Sequence, residues 1–397
     1  MQTRRTFLKS LIATGALGAI GGAAARTQET IKIGFSAPMT GPFAMNGKQM
    51  LAAVRLFVAQ DGNEVAGKTV ELIVRDDAGL ADQGKRIAQE LVVNEKVAIL
   101  AGYNVTPVTL AAAAISAEAK IPQVVMASGA SIITERSPYI VRTFSTQAQL
   151  GAPMGRWASK NGIKKVVTLV SDFAGGHDCE KAFADEFKAN DGEILDVLRV
   201  PLINPDFAPY LQRVRDSKPD AMFLWFPGVF DVAFSQQYME RGLQTSGINL
   251  IGVGDIVDDE VLNHLNDSML GTVTTLQYSA AHPSETNKAF VAGFMRATNG
   301  GRPNALAVAA YDGMHLIYEA LKKTGGNTDG GSIIAAMKGM AWESPRGPIA
   351  IDPETRDIVQ DIYVRRLERV RGELQNTEFD KFDAVKDPIK AAQRKPI

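Results

Sequence analysis

The sequence predicts an α/β protein with two similar lobes, each built on a parallel sheet covered by helices. Strand and helix patterns alternate from residue 30 with short connections, which is typical of a parallel sheet with helices on both faces. The same alternation restarts near residue 165. A chain of 397 residues also exceeds what one hydrophobic core usually serves, so we expect two domains.

The first run of elements alternates between two hydropathy patterns. Apolar residues at every second position predict strands, whereas apolar residues three or four positions apart predict helices. The predicted strands are 31–35, 70–74, 97–101 and 123–125, and the predicted helices are 47–60, 82–94 and 108–119.

The second run repeats this rhythm and then changes. Its predicted strands are 165–170, 194–200, 221–226, 250–253 and 272–277, and its predicted helices are 177–190, 207–216, 229–241 and 258–265. Three helices in succession follow at 286–298, 305–323 and 330–338, and then a hairpin-like pair at 347–351 and 361–367. We expect the polar tail 380–397 to wrap the surface or to be disordered.

The N-terminus carries a pattern of export. Arg4 and Arg5 precede a weakly apolar stretch that ends in three alanines, which is the order of a charged region, an apolar region and a small-residue cleavage site. The pattern resembles the bacterial twin-arginine signal. An anchoring helix is disfavoured, because about 15 apolar residues fall short of the roughly 20 that span a membrane. With no cysteine near the cleavage site for a lipid anchor, we expect a protein free in the periplasm after removal of residues 1–25.

Charge and cysteine content exclude some classes of partner. Removing residues 1–25 leaves 40 basic and 44 acidic residues, and such a balance does not favour nucleic acid or a membrane surface. Cys179 is the only cysteine, so no internal disulfide is expected. Its thiol is interpreted either as a small packing residue or as a reactive group.

Signatures of enzymes are missing from the sequence. The glycines at 252 and 254 are followed by Val257, so the dinucleotide-binding fingerprint fails at its third glycine. There is no phosphate-binding loop or nucleophile elbow, and the four histidines lack the spacing of metal ligands. We therefore predict no cofactor, no metal and no catalytic activity.

The segment 101–107 carries the clearest binding chemistry. It ends a buried strand and opens a helix, with Thr106 at the predicted N-cap and Pro107 in the first turn. Ligands bind at the carboxyl ends of parallel strands, so Asn104 and Thr106 could cradle a carboxylate at a helix N-terminus. Plain helix capping explains the same residues equally well. The hydroxyl-rich segment 125–131, after the neighbouring strand, would form one wall of the same polar pocket.

Several further motifs resemble those of bacterial branched-chain amino-acid binding proteins, the type I periplasmic solute-binding family. They are FSAPMTGPFA at 35–44, DDA at 76–78, IP at 121–122, AAYD at 309–312 and PRGP at 345–348. The resemblance implies two Rossmann-like lobes joined by three crossing hinge strands. It places 30–146 and 275–345 in the first lobe, 147–274 and 346–375 in the second, and 376–397 in a C-terminal tail.

The same resemblance implies a function and a set of contacts. It implies hinge closure on a small molecule and delivery to an ATP-binding cassette (ABC) permease, by a protein that we expect to be a monomer. Asn104 and Thr106 fall where the family holds a ligand carboxylate. Ser128, Gly129 and Ala130 fall on its second carboxylate-binding loop.

Departures from the family pattern bear on the ligand. Phe43 matches an aromatic that contacts the ligand, but the family often has two serines at 105–106 and Ala-Thr at 129–130. A tyrosine common in the family is replaced by Gly175. This replacement leaves either a hole for a bulkier ligand or room for Phe173 to shift.

Second-lobe candidates follow predicted strands. Phe226, Phe230 and Asp255 are such residues, and Asp255 falls near the family acid that pairs with a ligand ammonium, although capping of the next helix is an equal alternative. Tyr103 and Tyr278 end strands predicted in the first lobe and could line the cleft, with core packing as their ordinary role.

The identity of the ligand stays open at this point. An ammonium partner for Asp255 would favour an aliphatic amino acid such as leucine or valine. Without that pairing, the reduced set of hydroxyls and the missing tyrosine suggest an aromatic acid, another carboxylate or an amide. A ligand sensor on the same fold and an exported enzyme are the two alternatives from other functional classes.

Overall fold

A computed structural model of the protein describes residues 29–393. The predicted export signal at 1–25 and the last four residues of the predicted tail lie outside this range. No helix between residues 29 and 393 is both long and apolar enough to cross a membrane.

The first lobe is built on a six-stranded sheet with the order β2-β3-β1-β4-β5-β6. All neighbouring pairs are parallel except β2 and β3. Its strands are β1 (Thr30–Ala37), β2 (Glu64–Val65), β3 (Lys68–Asp76), β4 (Ile99–Gly102), β5 (Gln123–Val125) and β6 (Ile140–Arg142). The helices between them are α1 (Ala44–Asp61), α2 (Ala81–Val93) and α3 (Thr106–Ala119).

The second lobe repeats the parallel arrangement on a larger sheet. Its first strands are β7 (Lys165–Ser171), β8 (Glu193–Val200), β9 (Ala221–Trp225), β10 (Asn249–Val253) and β11 (Val273–Leu276). They lie in the order β11-β10-β9-β7-β8 and are all parallel. The helices of this part are α4 (Gln147–Lys160), α5 (Ala174–Lys188), α6 (Ala208–Ser217) and α7 (Asp231–Glu240).

The chain then returns to each lobe once more. Helices α8 (Glu285–Ala297), α9 (Ala305–Lys323) and α10 (Gly330–Met337) pack on the first lobe through α1, β5 and β6. The second sheet is completed by β12 (Ala341–Ser344), β13 (Gly347–Ile351), β14 (Ile358–Val370) and β15 (Glu373–Val385), and α11 (Pro388–Gln393) follows. The chain therefore crosses between the lobes after β6, after β11 and after α10, which makes this the predicted type I binding fold.

Of the three predicted lobe boundaries, one falls between two elements and the other two place residues of the second sheet in the first lobe. The boundary at 146/147 lies between β6 and α4. The boundary at 274/275 cuts β11, and the boundary at 345/346 leaves β12 with the first lobe, although both strands belong to the second sheet. The residues of β11 pair with β10 on one side and β14 on the other, so the whole strand lies inside the second sheet.

Helix α4 is absent from the sequence prediction because it is rich in residues that disfavour helices. It contains Pro153 and packs closely on α5 through Gly151 and Gly155. A Cβ at Gly151 would lie 2.4 Å from the Cys179 carbonyl oxygen, and one at Gly155 2.5 Å from that of Phe183. Cys179 is fully buried in this contact and burial raises the pKa of its thiol well above the ordinary value, which supports a packing role.

One predicted helix of the second lobe, 258–265, is wrong. The structure has a 3₁₀ turn just before this range, at Gly254–Val257, and another within it, at Leu262–His264. The Asp258 carboxylate accepts from the Glu260 backbone N–H at 2.9 Å, and such a local turn competes with a helix.

Residues 380–385 of the predicted C-terminal tail belong to the second sheet. β15 pairs along β14 from Gln360↔Val385 to Val370↔Glu373 with two irregularities. Its side chains are mostly polar because it lies at the edge of the sheet, so its sequence lacks the apolar alternation of the inner strands.

Candidate functional site: a cleft between the lobes

A cleft lies between the lobes at the carboxyl ends of the parallel strands. Asn104 follows β4, Gly129 follows β5, Phe173 follows β7 and Asp255 follows β10, while Trp225 ends β9. Parallel sheets place their ligand sites at this edge. The cleft contains about 600 Å³ of space between the protein atoms, part of it open to solvent, which suits a small ligand.

Three helices begin at residues that line the cleft. They are α3 at Thr106, α4 at Gln147 and α5, whose second residue is Gly175. Each helix N-terminus carries a partial positive charge that favours an anion. In α4 the N–H groups of Gln147 and Gln149 already donate to the Gly129 carbonyl oxygen and the Thr146 hydroxyl. Within residues 29–393, the lining contains no lysine or arginine. A carboxylate in this cleft would therefore be held by N–H, hydroxyl and amide donors.

The first-lobe wall combines predicted residues with one that the sequence analysis missed. Asn104, Thr106 and Gly129 line the cleft as predicted positions, and Gln147 joins them from the start of α4. A Cβ at Gly129 would lie 2.9 Å from Cγ and Nε2 of Gln147, so only glycine allows this approach. The Oε1 atom of Gln147 is buried without a hydrogen-bond partner. Gln147 thus offers an unused polar group at the cleft.

Three residues predicted for this wall support it from behind and do not line it. The Ser128 hydroxyl shares a hydrogen bond with Thr109 and contacts the carbonyl oxygens of Asn104 at 2.9 Å and Tyr103 at 3.1 Å. Tyr103 has a fully buried side chain with a left-handed φ of 67°, and its hydroxyl has no partner. Ala130 is also fully buried. These residues join the loops after β4 and β5 into one layer.

A buried arginine fixes the loop after β5. Arg142, on β6, donates from Nη1 to the carbonyl oxygens of Ser128 at 3.1 Å and Ala130 at 2.7 Å. Its Nε and Nη2 atoms donate to Oδ1 of Asp357 at 3.0 and 2.5 Å. An arginine at the end of an otherwise apolar strand is the sequence signal that points to this role.

Aromatic side chains form the second-lobe wall. The rings of Phe173 and Trp225 lie 5.3 Å apart between centroids at a tilt of 43°. A Cβ at Gly175 would lie 3.1 Å from Cε2 of Phe173, so the Phe173 ring rests on the glycine that replaces the family tyrosine. Further apolar lining comes from Phe43, Phe144, Leu202, Pro227 and Leu306.

Two acids lie at the aromatic wall. Asp255 accepts a hydrogen bond from Nε1 of Trp225 at 2.8 Å, and burial raises its pKa to about 6 against the lowering effects of Trp225 and Arg365. Burial, followed by the charge of Glu260, raises the pKa of Asp258 well above its ordinary value. Asp255 lies within a 3₁₀ turn, with its carboxyl oriented by Trp225, and the predicted helix that it was to cap does not form.

Hydrogen bonds cross the cleft and hold the lobes together. The Asn304 side chain, at the start of α9, donates to Asp258 Oδ2 at 3.2 Å and to Glu260 Oε2 at 3.4 Å. The backbone N–H of Ser131 donates to Asp178 Oδ2, on α5, at 2.8 Å. These contacts join first-lobe and second-lobe residues, so the structure is a closed conformation.

The remaining predicted residues lie outside the cleft lining. Phe230 packs at the edge of the second-lobe core, which includes the fully buried Phe226. Tyr278 follows β11 in the second sheet, not in the first lobe, and its buried hydroxyl donates to Asn287 at 3.1 Å. Its carbonyl oxygen accepts from Nη1 of Arg365 at 2.6 Å, and Nη2 of Arg365 also contacts the carbonyl oxygen of Gly254 at 3.1 Å. Arg365 therefore holds main-chain carbonyl oxygens behind the second wall, as Arg142 does behind the first wall.

Comparisons with known proteins agree with this architecture. Residues 30–373 match the family described as periplasmic binding protein. A solute-binding protein of an ABC transporter from Rhodopseudomonas palustris BisB5, in complex with 3,4-dihydroxybenzoic acid, is 57% identical with a TM-score of 0.89 and covers 91% of this chain and 99% of its own. A second one from R. palustris, in complex with 4-hydroxybenzoate, is 40% identical with a TM-score of 0.89, over 92% and 100% of the two chains.

One curated relative is named for leucine, isoleucine and valine. Leu/Ile/Val-binding protein homolog 6 of Brucella melitensis is 40% identical over 94% of this chain and 96% of its own. These relatives and neighbours are binding proteins, and they share the two parallel-sheet lobes of this structure. The chain belongs to the periplasmic binding protein family.

Proposed function

We propose that the protein captures a hydroxylated benzoate in the periplasm and delivers it to an ABC permease. The observation that carries the proposal is the arrangement of donors, aromatic rings and one acceptor in the cleft. Three helix N-termini and neutral donors would face the ligand carboxylate. Aromatic rings form the middle of the cleft, and Asp255 offers an acceptor on the second wall. This ligand class replaces the aliphatic amino acid favoured by sequence motifs.

The carboxylate would bind near the first-lobe wall. The N-terminus of α3 and the side chains of Asn104, Thr106 and Gln147 provide donors there, and the partial positive charge of α4 adds to them. Arg142 holds the carbonyl oxygens of Ser128 and Ala130 behind the wall, so those acceptors are satisfied and do not repel an anion.

The ring would bind between aromatic side chains. A slot bounded by Phe43, Phe144, Phe173 and Trp225 favours a flat apolar group through offset and edge contacts. A flat ring can contact several of these aromatic side chains at once, which supports a single-ring ligand over a branched aliphatic chain. Gly175 leaves room for the Phe173 ring, because a Cβ at that position would lie only 3.1 Å from Cε2 of Phe173.

The ring hydroxyl would donate to Asp255. In an α-amino acid the ammonium is next to the carboxylate, whereas the hydroxyl of 4-hydroxybenzoate is on the far side of the ring. Asp255 belongs to the second lobe and Asn104 and Thr106 belong to the first, an arrangement that favours the second kind of molecule. The neighbours that are 57% and 40% identical were crystallised with such acids, which supports the same class here.

A branched-chain amino acid is the second candidate. The names of the curated relatives favour it, and the buried carboxyl of Asp255 could pair with an ammonium. The two candidates differ in the donor that they present to Asp255, which is a neutral hydroxyl in one case and a cationic ammonium in the other.

Tryptophan fluorescence tests the proposal directly. The chain has three tryptophans, and replacing Trp157 and Trp342 with Phe leaves Trp225 as the reporter inside the cleft. We expect 4-hydroxybenzoate and 3,4-dihydroxybenzoate to change this emission and to give saturable heats by calorimetry, and benzoate to bind more weakly. Binding of L-leucine or L-valine without binding of either hydroxybenzoate would refute the aromatic ligand.

The cellular setting is part of the proposal. The family match supports action in the periplasm, and the signal-like pattern around Arg4 and Arg5 supports export by the twin-arginine route. Replacing both arginines with lysine should retain the protein in the cytoplasm, as measured by cell fractionation. We also propose a monomer, which light scattering on the purified protein tests.

A further inference from the structure

We propose that Lys390, on the C-terminal helix α11, is a positioning residue for ligand binding. It acts through Asp357 and Arg142 on the loop 127–130, two of whose residues line the cleft. The inference rests on the proposed use of this cleft for a carboxylate ligand. It assigns a binding role to a residue outside the two lobes' ligand-lining loops.

The amine of Lys390 is buried in a polar cluster. Only 2% of the residue is exposed, and its Nζ atom lies 2.5 Å from both Asp357 Oδ2 and Thr134 Oγ1. A long flexible lysine loses much conformational entropy on such burial, so the contact must be specific to persist. Burial lowers the pKa of the Lys390 ammonium, and the charge of Asp357 opposes that effect.

Asp357 divides its two oxygens between two cations. Lys390 takes Oδ2, while both Nε and Nη2 of Arg142 donate to Oδ1. The Nη1 atom of Arg142 is left to hold the carbonyl oxygens of Ser128 and Ala130. The position of the loop thus depends on how the guanidinium is oriented against one oxygen of Asp357.

Loss of the Lys390 amine would change that orientation. An arginine and a carboxylate prefer a two-pronged arrangement that uses both oxygens. With only the long 3.4 Å hydrogen bond from the Thr134 hydroxyl left on Oδ2, Arg142 would turn toward this oxygen and lengthen the hydrogen bonds from Nη1 to the loop. Gly129, which approaches Gln147 closely, would then shift together with the carboxylate-binding wall.

A second contact ties α11 to the same wall. Ile389 packs against a small apolar cluster of Ala148, Ala152 and Ala182. Ala148 directly follows Gln147, the cleft-lining first residue of α4. The helix α11 therefore reaches both halves of the carboxylate-binding wall, the loop by charge and α4 by packing.

The matched pair Lys390→Met and Lys386→Met tests the inference. Both remove one lysine charge from the same segment, but Lys386 is largely exposed and pairs with Asp352 at 2.9 Å. We expect Lys390→Met to weaken binding of 4-hydroxybenzoate about threefold to tenfold, which corresponds to one hydrogen bond, and Lys386→Met to leave it unchanged. Lys390→Gln keeps a donor for Asp357 and should give an intermediate loss, and it is the variant to use if Lys390→Met does not fold.

Hydrogen exchange separates positioning from a merely structural role. Coupling is reciprocal, so 4-hydroxybenzoate should slow amide exchange in α11 of the unaltered protein and fail to do so in Lys390→Met. Equal exchange in α11 with and without ligand in the unaltered protein, or an unchanged affinity in Lys390→Met, would overturn the inference.

A ligand-free measurement keeps the two proposals distinguishable. A crystal structure of Lys390→Met should show Arg142 contacting both oxygens of Asp357 and a displaced loop at 127–130. An unmoved Arg142 would overturn the inference whatever the ligand is. If the unaltered protein binds L-leucine and not 4-hydroxybenzoate, only the proposed ligand class fails, and L-leucine becomes the probe for the same variants.

Discussion

Replacing Asp255 with asparagine separates the cost of its charge from its use in binding. Asparagine has the same shape, and its side-chain oxygen can still accept the hydrogen bond from Nε1 of Trp225. The substitution removes only the ability to ionise. We therefore expect the ligand-free protein to become more stable and its hold on 4-hydroxybenzoate to become weaker.

The stability gain follows from the raised pKa of Asp255. The change from the ordinary 3.8 to about 6 corresponds to about 3 kcal/mol at neutral pH. The side chain is partly exposed to the cleft, where water screens its charge, so we expect about 1 to 2 kcal/mol. Because the folded protein holds this proton more tightly than the unfolded chain, the cost of ionisation develops between about pH 4 and pH 6 and persists above.

Chemical unfolding at two pH values measures this gain. The free energy of unfolding of Asp255→Asn should exceed that of the unaltered protein at pH 7.5, and the difference should shrink at pH 5. A difference that is absent at pH 7.5, or that grows as the pH falls, would contradict the assignment of a raised pKa to Asp255.

The binding loss has its own pH signature. A hydrogen bond to a charged acceptor contributes about 1.5 to 3 kcal/mol, so Asp255→Asn should weaken 4-hydroxybenzoate at pH 7.5 by roughly tenfold to a hundredfold. Affinity of the unaltered protein for 4-hydroxybenzoate should rise between pH 5 and pH 7.5 as Asp255 ionises. Affinity for benzoate, which has no hydroxyl and meets only repulsion, should fall over the same range. Equal slopes for both ligands would refute the hydroxyl contact.

Three further substitutions test other parts of the cleft. Gly175→Ala places a methyl group about 3.1 Å from the Phe173 ring and should weaken 4-hydroxybenzoate several-fold by calorimetry, whereas Gly331→Ala, exposed in the first turn of α10, should not. Asn304→Asp keeps the cap of α9 but puts a charge against the two acids across the cleft, so X-ray scattering at pH 8 should give a larger radius of gyration and titration a weaker affinity. Arg365→Met should lower the free energy of unfolding by about 3 to 5 kcal/mol by stranding buried acceptors. Arg366→Met, whose side chain is 45% exposed, should cost less than about 1 kcal/mol.

The sequence located much of the cleft because one topological rule applies to both lobes. Asn104, Gly129, Phe173 and Asp255 follow strands whose hydropathy patterns are clear, and parallel sheets bring such residues to one edge. Trp225 obeys the same rule at the end of β9, but its neighbour Phe226, which is fully buried, was named as the candidate instead.

Other lining residues carried no local signal. Gln147 reaches the cleft only because the chain crosses between lobes after β6 and starts α4 there, and α4 itself was hidden by its proline and glycines. Asp258 was assigned to a helix that its own side chain prevents. Ser128 and Tyr278 have residue types suited to ligands, yet the structure uses them to join loops and to pack the core.

The C-terminal region shows the limit of hydropathy reasoning at a sheet edge. β15 looks like a polar tail because only one face of an edge strand needs apolar residues, and its hydrogen bonds go to β14 whatever its side chains are. The burial of Lys390 depends on Asp357 and Arg142, which are far from it in sequence, so the residues near position 390 do not predict it.

Two buried arginines, Arg142 and Arg365, separate the frame of the cleft from its surface. Arg142 and Arg365 hold main-chain carbonyl oxygens, which every residue type possesses, so most side chains on the held loops can be exchanged without disturbing the anchors. Gly254 is an exception, since a Cβ there would lie 2.0 Å from Nη2 of Arg365. A library that varies the lining and keeps these arginines could therefore yield reporters for other small carboxylates, with selectivity altered independently of folding.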